Sequence, residues 1–182
     1  MNTYNNSIAN KGCVVWFTGL SGAGKTTIAQ ALEQRLIKDK KQVERLDGDV
    51  VRQSLTRDLG FSKEDRDTNI ERVTFVAKLL ARNGVLVLVS FISPYKKHRE
   101  TARMEVDNFI EVHVNCPLEE CERRDVKGMY KKARAGEIQN FTGIDDPYEA
   151  PECPELELMT HKCSVDECVE EIVGYLQKKK LI

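Results

Sequence analysis

The sequence predicts an α/β fold in which a parallel sheet is covered by helices on both faces. Short apolar segments rich in β-branched residues alternate along the chain with longer segments whose apolar residues recur at helical spacing. The chain has 182 residues, which suits one domain with a substantial core, and no internal repeat or proline-rich linker divides it. We therefore expect a single domain over residues 1–182, in which residues 1–11 form a flexible N-terminus.

Five segments are predicted to be strands of this sheet. The first three run from Cys13 to Thr18, from Gln42 to Leu46 and from Val85 to Phe91. Phe109 to Val114 is the fourth, and Leu156 to Met159 is a candidate fifth. Because parallel strands are buried on both faces, they are expected to read as nearly continuous apolar runs, and most of these segments do.

Three helices are predicted from apolar periodicity and capping residues. The first follows the first strand, the second begins at the capping sequence Ser62-Lys63-Glu64-Asp65 and ends at Asn83-Gly84, and the last begins at Ser164. The lysines at 178–180 complement the C-terminal dipole of the last helix. The residues predicted to face the core are Ile28, Ala29, Leu32 and Leu36 in the first helix, Ile70, Val73, Val76, Ala77 and Leu80 in the second, and Val165, Cys168, Val169, Ile172, Val173 and Leu176 in the last.

The segment from Gly19 to Thr26 is a complete phosphate-binding loop (P-loop) of the pattern G-x-x-x-x-G-K-T. It lies between a predicted strand and a predicted helix, as this motif requires, and the helix N-terminus adds the positive end of its dipole. The glycines let the backbone wrap around a triphosphate. Lys25 can reach the β- and γ-phosphates, and the Thr26 hydroxyl can ligate Mg²⁺. The sequence therefore predicts a protein that binds a nucleoside triphosphate.

Composition argues against several other classes of protein. The net charge is −1, which provides no global attraction for nucleic acid or an anionic membrane. The first twelve residues are polar and lack the apolar segment of a secretory signal, so we expect a cytoplasmic protein. The six cysteines show no paired C-x-x-C and the three histidines no ligand spacing, so we expect reduced thiols, several facing the core, and no structural metal.

A signalling GTPase is the first alternative within the P-loop proteins. The segment Asp125-Val126-Lys127-Gly128 fits the D-x-x-G switch pattern of such proteins. However, it follows a polar helical stretch, residues 121–124, rather than a buried strand, and the sequence contains no guanine-reading N-K-x-D. We interpret the match as accidental.

Polar residues concentrate after the second and third strands, where a small acceptor molecule would bind. Asp47 and Asp49 follow the second strand, and Arg52 lies one helical turn beyond. The two aspartates provide carboxylates for an acceptor hydroxyl, and Arg52 provides a cation for an anionic substrate. Further groups follow in the sequence: the aromatic ring of Phe61, the guanidinium of Arg66, the amide of Asn69 and the hydroxyl of Ser93. Each has a purely structural alternative, such as a turn or a solvated helix charge, but their convergence on one sheet edge favours a functional site.

The sequence resembles the adenylyl-sulfate kinase family over nearly the whole chain, from about Lys11 to the last helix. The segments that carry the resemblance are Gly19 to Thr26, Leu46 to Asp49, Asp58 to Ser62, Phe91 to Tyr95, Gly128 to Ile138 and Asn140 to Asp145. The P-loop is shared by many families, whereas the stretch from Lys127 to Asp145 is highly specific. Val50 replaces the asparagine that the family usually has after the second aspartate, so a polar contact from this position is not expected.

The resemblance implies a P-loop kinase that uses MgATP to phosphorylate the 3′-hydroxyl of adenosine 5′-phosphosulfate (APS), and it suggests a homodimer. It assigns ATP binding to Gly19, Leu20, Ser21, Gly22, Ala23, Gly24, Lys25, Thr26 and Thr27, with Thr26 as the Mg²⁺ ligand. It assigns acceptor binding to Asp49, Arg52, Phe61, Arg66, Asn69, Ile92, Ser93, Lys127 and Phe141. Lys25, Asp47, Asp49 and Ser93 are the catalytic candidates. Phe61 and Phe141 are expected to sandwich the adenine of APS, while the arginines meet its phosphosulfate.

Two questions about the catalytic candidates stay open at this stage. Either Asp47 or Asp49 would orient the 3′-hydroxyl and accept its proton. In this family, the serine at the position of Ser93 is regarded as a phosphoserine intermediate. Phosphoryl transfer needs mainly in-line positioning and charge neutralisation, so an obligatory covalent step is not expected.

The segment from about 123 to 146 is predicted to be a lid over the phosphates. Its first part contains six basic residues, Arg123, Arg124, Lys127, Lys131, Lys132 and Arg134. Such a run is most often a solvated helix face, and the near-zero net charge argues against nucleic-acid binding. Two further hypotheses remain. The protein could phosphorylate another small molecule, or it could be a non-catalytic nucleotide sensor. The presence of Lys25, Asp47 and Asp49 argues against a sensor, because a sensor has no chemical need for them.

Overall fold

The computed structural model describes residues 12–182, so the flexible N-terminus predicted at residues 1–11 lies outside the described residues. Its centre is a five-stranded parallel sheet in the order β2-β3-β1-β4-β5. The strands are β1 (Cys13–Thr18), β2 (Val43–Asp47), β3 (Leu86–Ser90), β4 (Phe109–Asn115) and β5 (Leu156–Met159). The five predicted strands are confirmed, with ends that differ by no more than one residue.

Helices cover this sheet on both faces. Those of the described residues are α1 (Lys25–Lys38), α2 (Gly48–Val51), α3 (Lys63–Ala81), α4 (Lys96–Glu105), α5 (Leu118–Arg124), α6 (Met129–Arg134) and α7 (Val165–Lys178). The three predicted helices correspond to α1, α3 and α7. Ser62 caps α3 by accepting from the Asp65 N–H group, and Ser164 and Glu167 form a reciprocal capping box at α7, as their sequences predict. None of the seven meets the length and hydropathy of a membrane-crossing helix.

Two apolar layers pack against the two faces of the sheet. Alternate residues of β1 point to opposite sides, and all of them are buried. Val15 and Phe17 join the layer under α1 and α7, whereas Val14 and Trp16 join the layer under α3 and α4. The predicted core faces occupy these layers, with two exceptions. Val76 of α3 is only half-buried and belongs to neither layer, and Val165 at the first turn of α7 is 37% exposed.

The fold places its polar loops at the carboxyl ends of β1, β2 and β3. The P-loop leaves β1 directly, and its first residue, Gly19, approaches the neighbouring β4 so closely that a Cβ atom would lie 2.5 Å from the carbonyl oxygen of Val114. The β2–β3 register pairs Asp47 with Ser90, so the end of β2 lies beside the end of β3. In an open α/β sheet this is the edge at which ligands bind.

Four of the six cysteines, Cys13, Cys116, Cys121 and Cys168, are buried, and all six are free thiols. Burial raises the pKa of Cys13 and of Cys121 to about 12, so these thiols stay protonated and behave as small apolar groups. The prediction that several cysteines face the core is confirmed.

Candidate active site

The P-loop, residues 19–26, presents the N-terminus of α1 to the carboxyl edge of the sheet. Gly24 is the N-cap of α1 and has a φ of 107°, a left-handed conformation that glycine adopts without strain. No side chain among the described residues caps this helix, so its first N–H groups are available to an anion. Together with the positive end of the helix dipole, they make the loop suited to binding a phosphate group.

Residues far along the chain hold the P-loop in this shape. The Tyr130 hydroxyl donates to the carbonyl oxygen of Ser21 at 2.9 Å, and the Thr160 hydroxyl donates to that of Ala23 at 2.7 Å. Arg124 in turn donates to the carbonyl oxygen of Thr160 at 2.8 Å. Sequence reasoning missed these supports, because each lies more than a hundred residues from its partner in the loop and no local pattern connects them.

The Lys25 side chain is buried against the first residues of the P-loop. Its Nζ donates to the carbonyl oxygens of Gly19 at 2.9 Å and Leu20 at 2.8 Å. Burial lowers its pKa from 10.5 to about 8. The ammonium group is therefore placed at the loop in a poorly solvated environment, where its attraction to phosphate is stronger than in water.

Asp47, the last residue of β2, connects the P-loop to the end of β3. Its Oδ2 accepts from the hydroxyls of Thr26 at 2.8 Å and Ser90 at 2.9 Å, and its Oδ1 accepts from the Asp49 N–H group at 3.0 Å. Burial alone would raise the pKa of Asp47, but these hydrogen bonds and the nearby Arg45 outweigh it and lower the pKa. Asp47 is thus an ionised carboxylate fixed beside the P-loop threonine.

Asp49 lies at the start of α2 and is far more accessible than Asp47. Its side chain is 66% exposed and forms an ion pair with Lys127 from the segment between α5 and α6. Asp125 caps the next helix by accepting from the N–H groups of Tyr130 and Lys131, each at 3.0 Å. The predicted lid segment therefore reaches the Asp49 carboxylate at the start of α2, and the hydrogen bonds of Asp125 fix its backbone next to that contact.

Arg52 and Phe61 form one unit on the acceptor side of the sheet edge. The Arg52 guanidinium stacks 4.3 Å from the centroid of the Phe61 ring and donates to the carbonyl oxygens of Leu59 at 3.2 Å and Gly60 at 2.9 Å. Burial, followed by repulsion from Arg66, lowers the pKa of Arg52. Phe61 itself is 60% exposed, so its ring remains available for stacking.

Arg66 ties this unit to the far end of the lid segment. It donates to the carbonyl oxygen of Phe61 at 3.0 Å, to the Thr142 hydroxyl at 2.8 Å and to the carbonyl oxygen of Asn140, and it lies 3.6 Å from Asp146. Phe61 and the segment that contains Phe141 are thereby held by one side chain. Phe141 is 8% exposed and packs edge to face against Tyr130, with ring centroids 5.0 Å apart.

Of two further acceptor candidates, Asn69 is buried and Ile92 is half-buried. Asn69 on α3 is 4% exposed, and its Oδ1 atom has no hydrogen-bond partner among the described residues. The carbonyl oxygen of Ile92 accepts from the Thr18 hydroxyl at 2.7 Å and from the Gly19 N–H group at 3.4 Å, which fixes the segment after β3 to the start of the P-loop. Thr27, on the first turn of α1, is exposed.

Ser93 is only 2% exposed and is turned away from solvent. Its hydroxyl accepts from the indole N–H group of Trp16 at 2.9 Å, in the layer under α3 and α4. Its backbone is left-handed, with a φ of 45°, which is unfavourable for a residue other than glycine. The structure therefore gives Ser93 a clear packing role beside the P-loop.

The predicted site residues fall into two groups that meet at Asp47. The P-loop residues, Thr26, Asp47 and Ser90 form a connected cluster, and Ser90 is a member that the sequence did not reveal, since only the β2–β3 register brings it there. Among the acceptor candidates, Arg66 contacts Phe61 directly and reaches the segment of Phe141 through Asn140 and Thr142. The two aromatic rings of the predicted adenine sandwich differ, because Phe61 is exposed whereas Phe141 is packed.

This arrangement defines the class of protein as a P-loop kinase. A phosphate-binding loop faces carboxylates, arginines and an exposed ring on the same sheet edge, so a phosphoryl donor and a small acceptor can be held side by side. Residues 121–124 lie within α5, a helix, as expected if the D-x-x-G match that follows them is accidental.

The particular family follows from comparison with known proteins. The family model for adenylylsulphate kinase matches residues 11–159, and the chain belongs to this family. It is 62% identical over 172 residues to the adenylyl-sulfate kinase of Halothermothrix orenii, covering 94% of this chain and 93% of that protein. It is 60% identical to the enzyme of the same name from Picosynechococcus sp., covering 92% and 94% respectively.

A solved structure agrees with this assignment. The Mycobacterium tuberculosis APS kinase CysC, in complex with AMPPNP and APS, has a TM-score of 0.89 and 47% sequence identity to this chain. The match covers 92% of this chain and 99% of that one. The predicted family and the predicted P-loop fold are confirmed, and the protein is a kinase.

Proposed function

We propose that this protein transfers the γ-phosphoryl group of ATP to the 3′-hydroxyl of APS, giving 3′-phosphoadenosine 5′-phosphosulfate and ADP. The observation that supports this most strongly is the nearly full-length match to a kinase solved with AMPPNP and APS. The sites described above agree with it, because a triphosphate loop and an acceptor side with arginines and an exposed aromatic ring share one sheet edge.

Positioning and charge neutralisation are the main tasks of such a site, since phosphoryl transfer requires little covalent chemistry from the protein. Lys25 and the N-terminus of α1 hold the donor phosphates and oppose their negative charge. Arg52 and Arg66 provide positive charge for the phosphosulfate of the acceptor, and Phe61 stacks on its adenine. Lys127 brings the lid segment to the same place and excludes water.

Mg²⁺ is the cation that the donor requires, and the oxygen atoms of Thr26 and Asp47 fit it. Mg²⁺ prefers oxygen ligands and usually keeps several of its waters, so one hydroxyl and one ionised carboxylate are a suitable protein contribution. The lowered pKa of Asp47 supports this role, because the carboxylate stays charged at neutral pH. When bound with ATP, Mg²⁺ supplies neutralisation of the phosphate charge.

The two carboxylates then have different roles. Asp47 already accepts three hydrogen bonds and has a lowered pKa, which makes it a poor proton acceptor. Asp49 is exposed at the head of α2, opposite Lys127. We therefore assign the orientation of the 3′-hydroxyl, and acceptance of its proton, to Asp49. Asn69 offers an unpartnered Oδ1 atom to the same acceptor.

Ser93 is proposed as a structural residue of the site rather than a covalent intermediate. Its hydroxyl is engaged by Trp16 in the buried layer, so phosphorylation would break that contact and bury a doubly charged group. Direct transfer from ATP to the acceptor has no need of this step. The proposal also includes a cytoplasmic location and a homodimer. Light scattering coupled to size-exclusion chromatography measures the oligomeric state.

A coupled assay of ADP release tests the proposed function. Purified protein with MgATP is compared in the presence of APS, of AMP and of no acceptor. We expect release that depends on APS and is absent with AMP, because AMP lacks the sulfate group that the two arginines of the acceptor side would bind in addition to the phosphate. Release without dependence on any acceptor, or no release, would refute the assignment and direct the search to other acceptors or to a nucleotide sensor.

A further inference from the structure

Arg99 is the most deeply buried charged side chain of the described residues outside the P-loop cluster. It lies on α4, a mostly polar helix, and is 2% exposed. None of the roles assigned above includes it. An arginine at this depth requires partners for its charge and its donors, and their identity indicates what it does.

The guanidinium of Arg99 joins three separate parts of the chain. Its Nε donates to Glu111 on β4 at 2.7 Å, and its two terminal nitrogens donate to the carbonyl oxygens of Ser93 and Glu149, each at 2.6 Å. Two further hydrogen bonds connect the segment after β3 to Glu149. The Glu149 N–H group donates to the carbonyl oxygen of Pro94 at 2.8 Å, and the Glu149 carboxylate accepts from the Lys96 N–H group at 2.7 Å.

The two backbone segments that Arg99 joins both lead to the acceptor side. One contains Ser93, whose left-handed backbone has to be held by its surroundings and which follows the Ile92 carbonyl at the P-loop. The other, residues 145–149, contains Asp146, which accepts from the Tyr95 hydroxyl at 3.1 Å and lies 3.6 Å from Arg66. We name residues 145–149 the strap. Arg99 thus lies behind the groups that would touch the acceptor, without touching it.

The charge of Arg99 is balanced within the same buried network. Glu111 shares its carboxylate between Arg99 and Arg103, and Arg103 also pairs with Glu155. The hydrogen bonds of the Arg103 guanidinium go to Glu111 and Glu155, and within the described residues they reach neither Ser93 nor the strap. The network therefore contains one arginine that reaches the acceptor side and one that does not, which makes a matched pair.

We propose that Arg99 is a positioning residue for the acceptor: it locks the turn after β3 to the strap and so sets Ile92 and Arg66 for substrate binding. The inference rests on the proposed function as far as the identity of the acceptor is concerned. The lock itself is a property of the fold and can be measured without any substrate.

The test compares Arg99→Lys with Arg103→Lys in steady-state kinetics. Lysine keeps the charge beside Glu111, but its donors all lie on one nitrogen and cannot reach the three separate acceptors that the three guanidinium nitrogens of Arg99 contact. We expect Arg99→Lys to raise the KM for APS about tenfold or more, while the KM for MgATP changes less than about twofold, because small displacements of a positioning group have large effects. Arg103→Lys should leave both KM values near those of the parent. Equal changes for both substrates, or equal effects of the two variants, would overturn the proposal.

Hydrogen exchange provides the readout that does not depend on activity. The amides of Lys96 and Glu149, which connect the segment after β3 to the strap, should exchange faster in Arg99→Lys than in Arg103→Lys. If the parent protein shows no APS-dependent turnover, the proposed function fails, whereas faster exchange would still support the lock. If Arg99→Lys does not fold, the exposed Glu149→Ala, which removes the bond to Lys96, should still raise the KM for APS selectively; an unchanged value overturns the proposal.

Discussion

At the scale of single residues, the site separates two carboxylates that are two positions apart in the sequence. Asp47 is enclosed by Thr26, Ser90 and the N–H group of Asp49, whereas Asp49 is exposed and paired with Lys127. The sequence motif places both at the end of β2 but leaves their roles equivalent. Their difference arises from burial and from hydrogen bonds made by residues distant in the chain.

Asp49→Asn should therefore lower kcat about 100-fold and leave the KM for MgATP within about twofold, because it removes a proton acceptor and no donor contact. Asp47→Asn is the matched variant, and it should weaken MgATP binding as well, since it disturbs the carboxylate at Thr26. Steady-state kinetics with both substrates varied distinguishes the two. A normal kcat for Asp49→Asn would contradict the assignment of the base.

Ser93→Ala should retain turnover within about threefold of the parent, because no covalent step is required at this hydroxyl. It should also lower the free energy of unfolding by about 1–3 kcal/mol, since the buried indole N–H group of Trp16 loses its acceptor. Both quantities are measurable, by the coupled assay and by urea denaturation. A loss of two orders of magnitude in kcat for a folded variant would restore the phosphoserine intermediate.

Ser90→Ala is the control for that experiment. Ser90 is likewise buried and lies at the end of β3, but its hydroxyl donates to Asp47 rather than accepting from Trp16. Of the two serines, Ser90 is therefore the one whose removal should lower kcat/KM for MgATP.

The pKa of Lys25 predicts a pH dependence of donor use. In the free protein this pKa is lowered from 10.5 to about 8 by burial, so the ammonium loses its proton as the pH rises through about 8. The cation is present below that pH and absent above it, and kcat/KM for MgATP, which reports the free enzyme, should fall accordingly. Because bound phosphates favour the charged form, kcat at saturating MgATP should fall only at higher pH. Identical profiles for the two parameters would contradict this account.

At the scale of elements, the lid segment is attached to the site at both ends. The Tyr130 hydroxyl holds the P-loop at Ser21, and Lys127 reaches Asp49 from the preceding turn. The far end is held by Arg66 through Thr142. The segment thus contacts both the P-loop and the residues proposed to bind the acceptor, as the proposed role of a lid requires.

Lys127→Ala should mainly impair use of the acceptor. We expect kcat/KM for APS to fall about tenfold or more while kcat/KM for MgATP changes less, because the ion pair to Asp49 is lost and the P-loop is untouched. Lys132→Ala, an exposed position of α6, is the matched control and should behave as the parent. An unchanged kcat/KM for APS in Lys127→Ala would exclude this role.

The secondary-structure elements differ in how well they can be predicted from the sequence. Most of the strands were predictable because they are nearly continuous apolar runs. The helices α1, α3 and α7 were predictable because their apolar residues recur at helical spacing, and α3 and α7 also have local serine caps. Helix α4 was not predictable, because its buried residues are Arg99 and Ala102. Arg99 is a charged residue whose burial depends on its ion pair with Glu111, so the inner face of the helix shows no apolar periodicity in the sequence. The four-residue α2 is too short for any period to be detected.

At the scale of the whole molecule, sheet order determines which loops share the ligand-binding edge. The order β2-β3-β1-β4-β5 places the P-loop of β1 near the aspartates after β2, with β3 between them. The P-loop and the acceptor motifs were evident from sequence because their residues are contiguous. Ser90, Tyr130, Thr160 and Arg99 were not assigned these roles, because they act through contacts that only the folded chain creates.

The measurement that tests the central claim most directly is the identification of the product formed from MgATP and APS. Purified protein is incubated with γ-labelled ATP and APS, and the label is located by chromatography and by phosphorus NMR. The account predicts that the label appears as a phosphomonoester on the 3′-oxygen of the acceptor, in amounts equal to the ADP formed. Label found only in inorganic phosphate, or on another position of the acceptor, would contradict it.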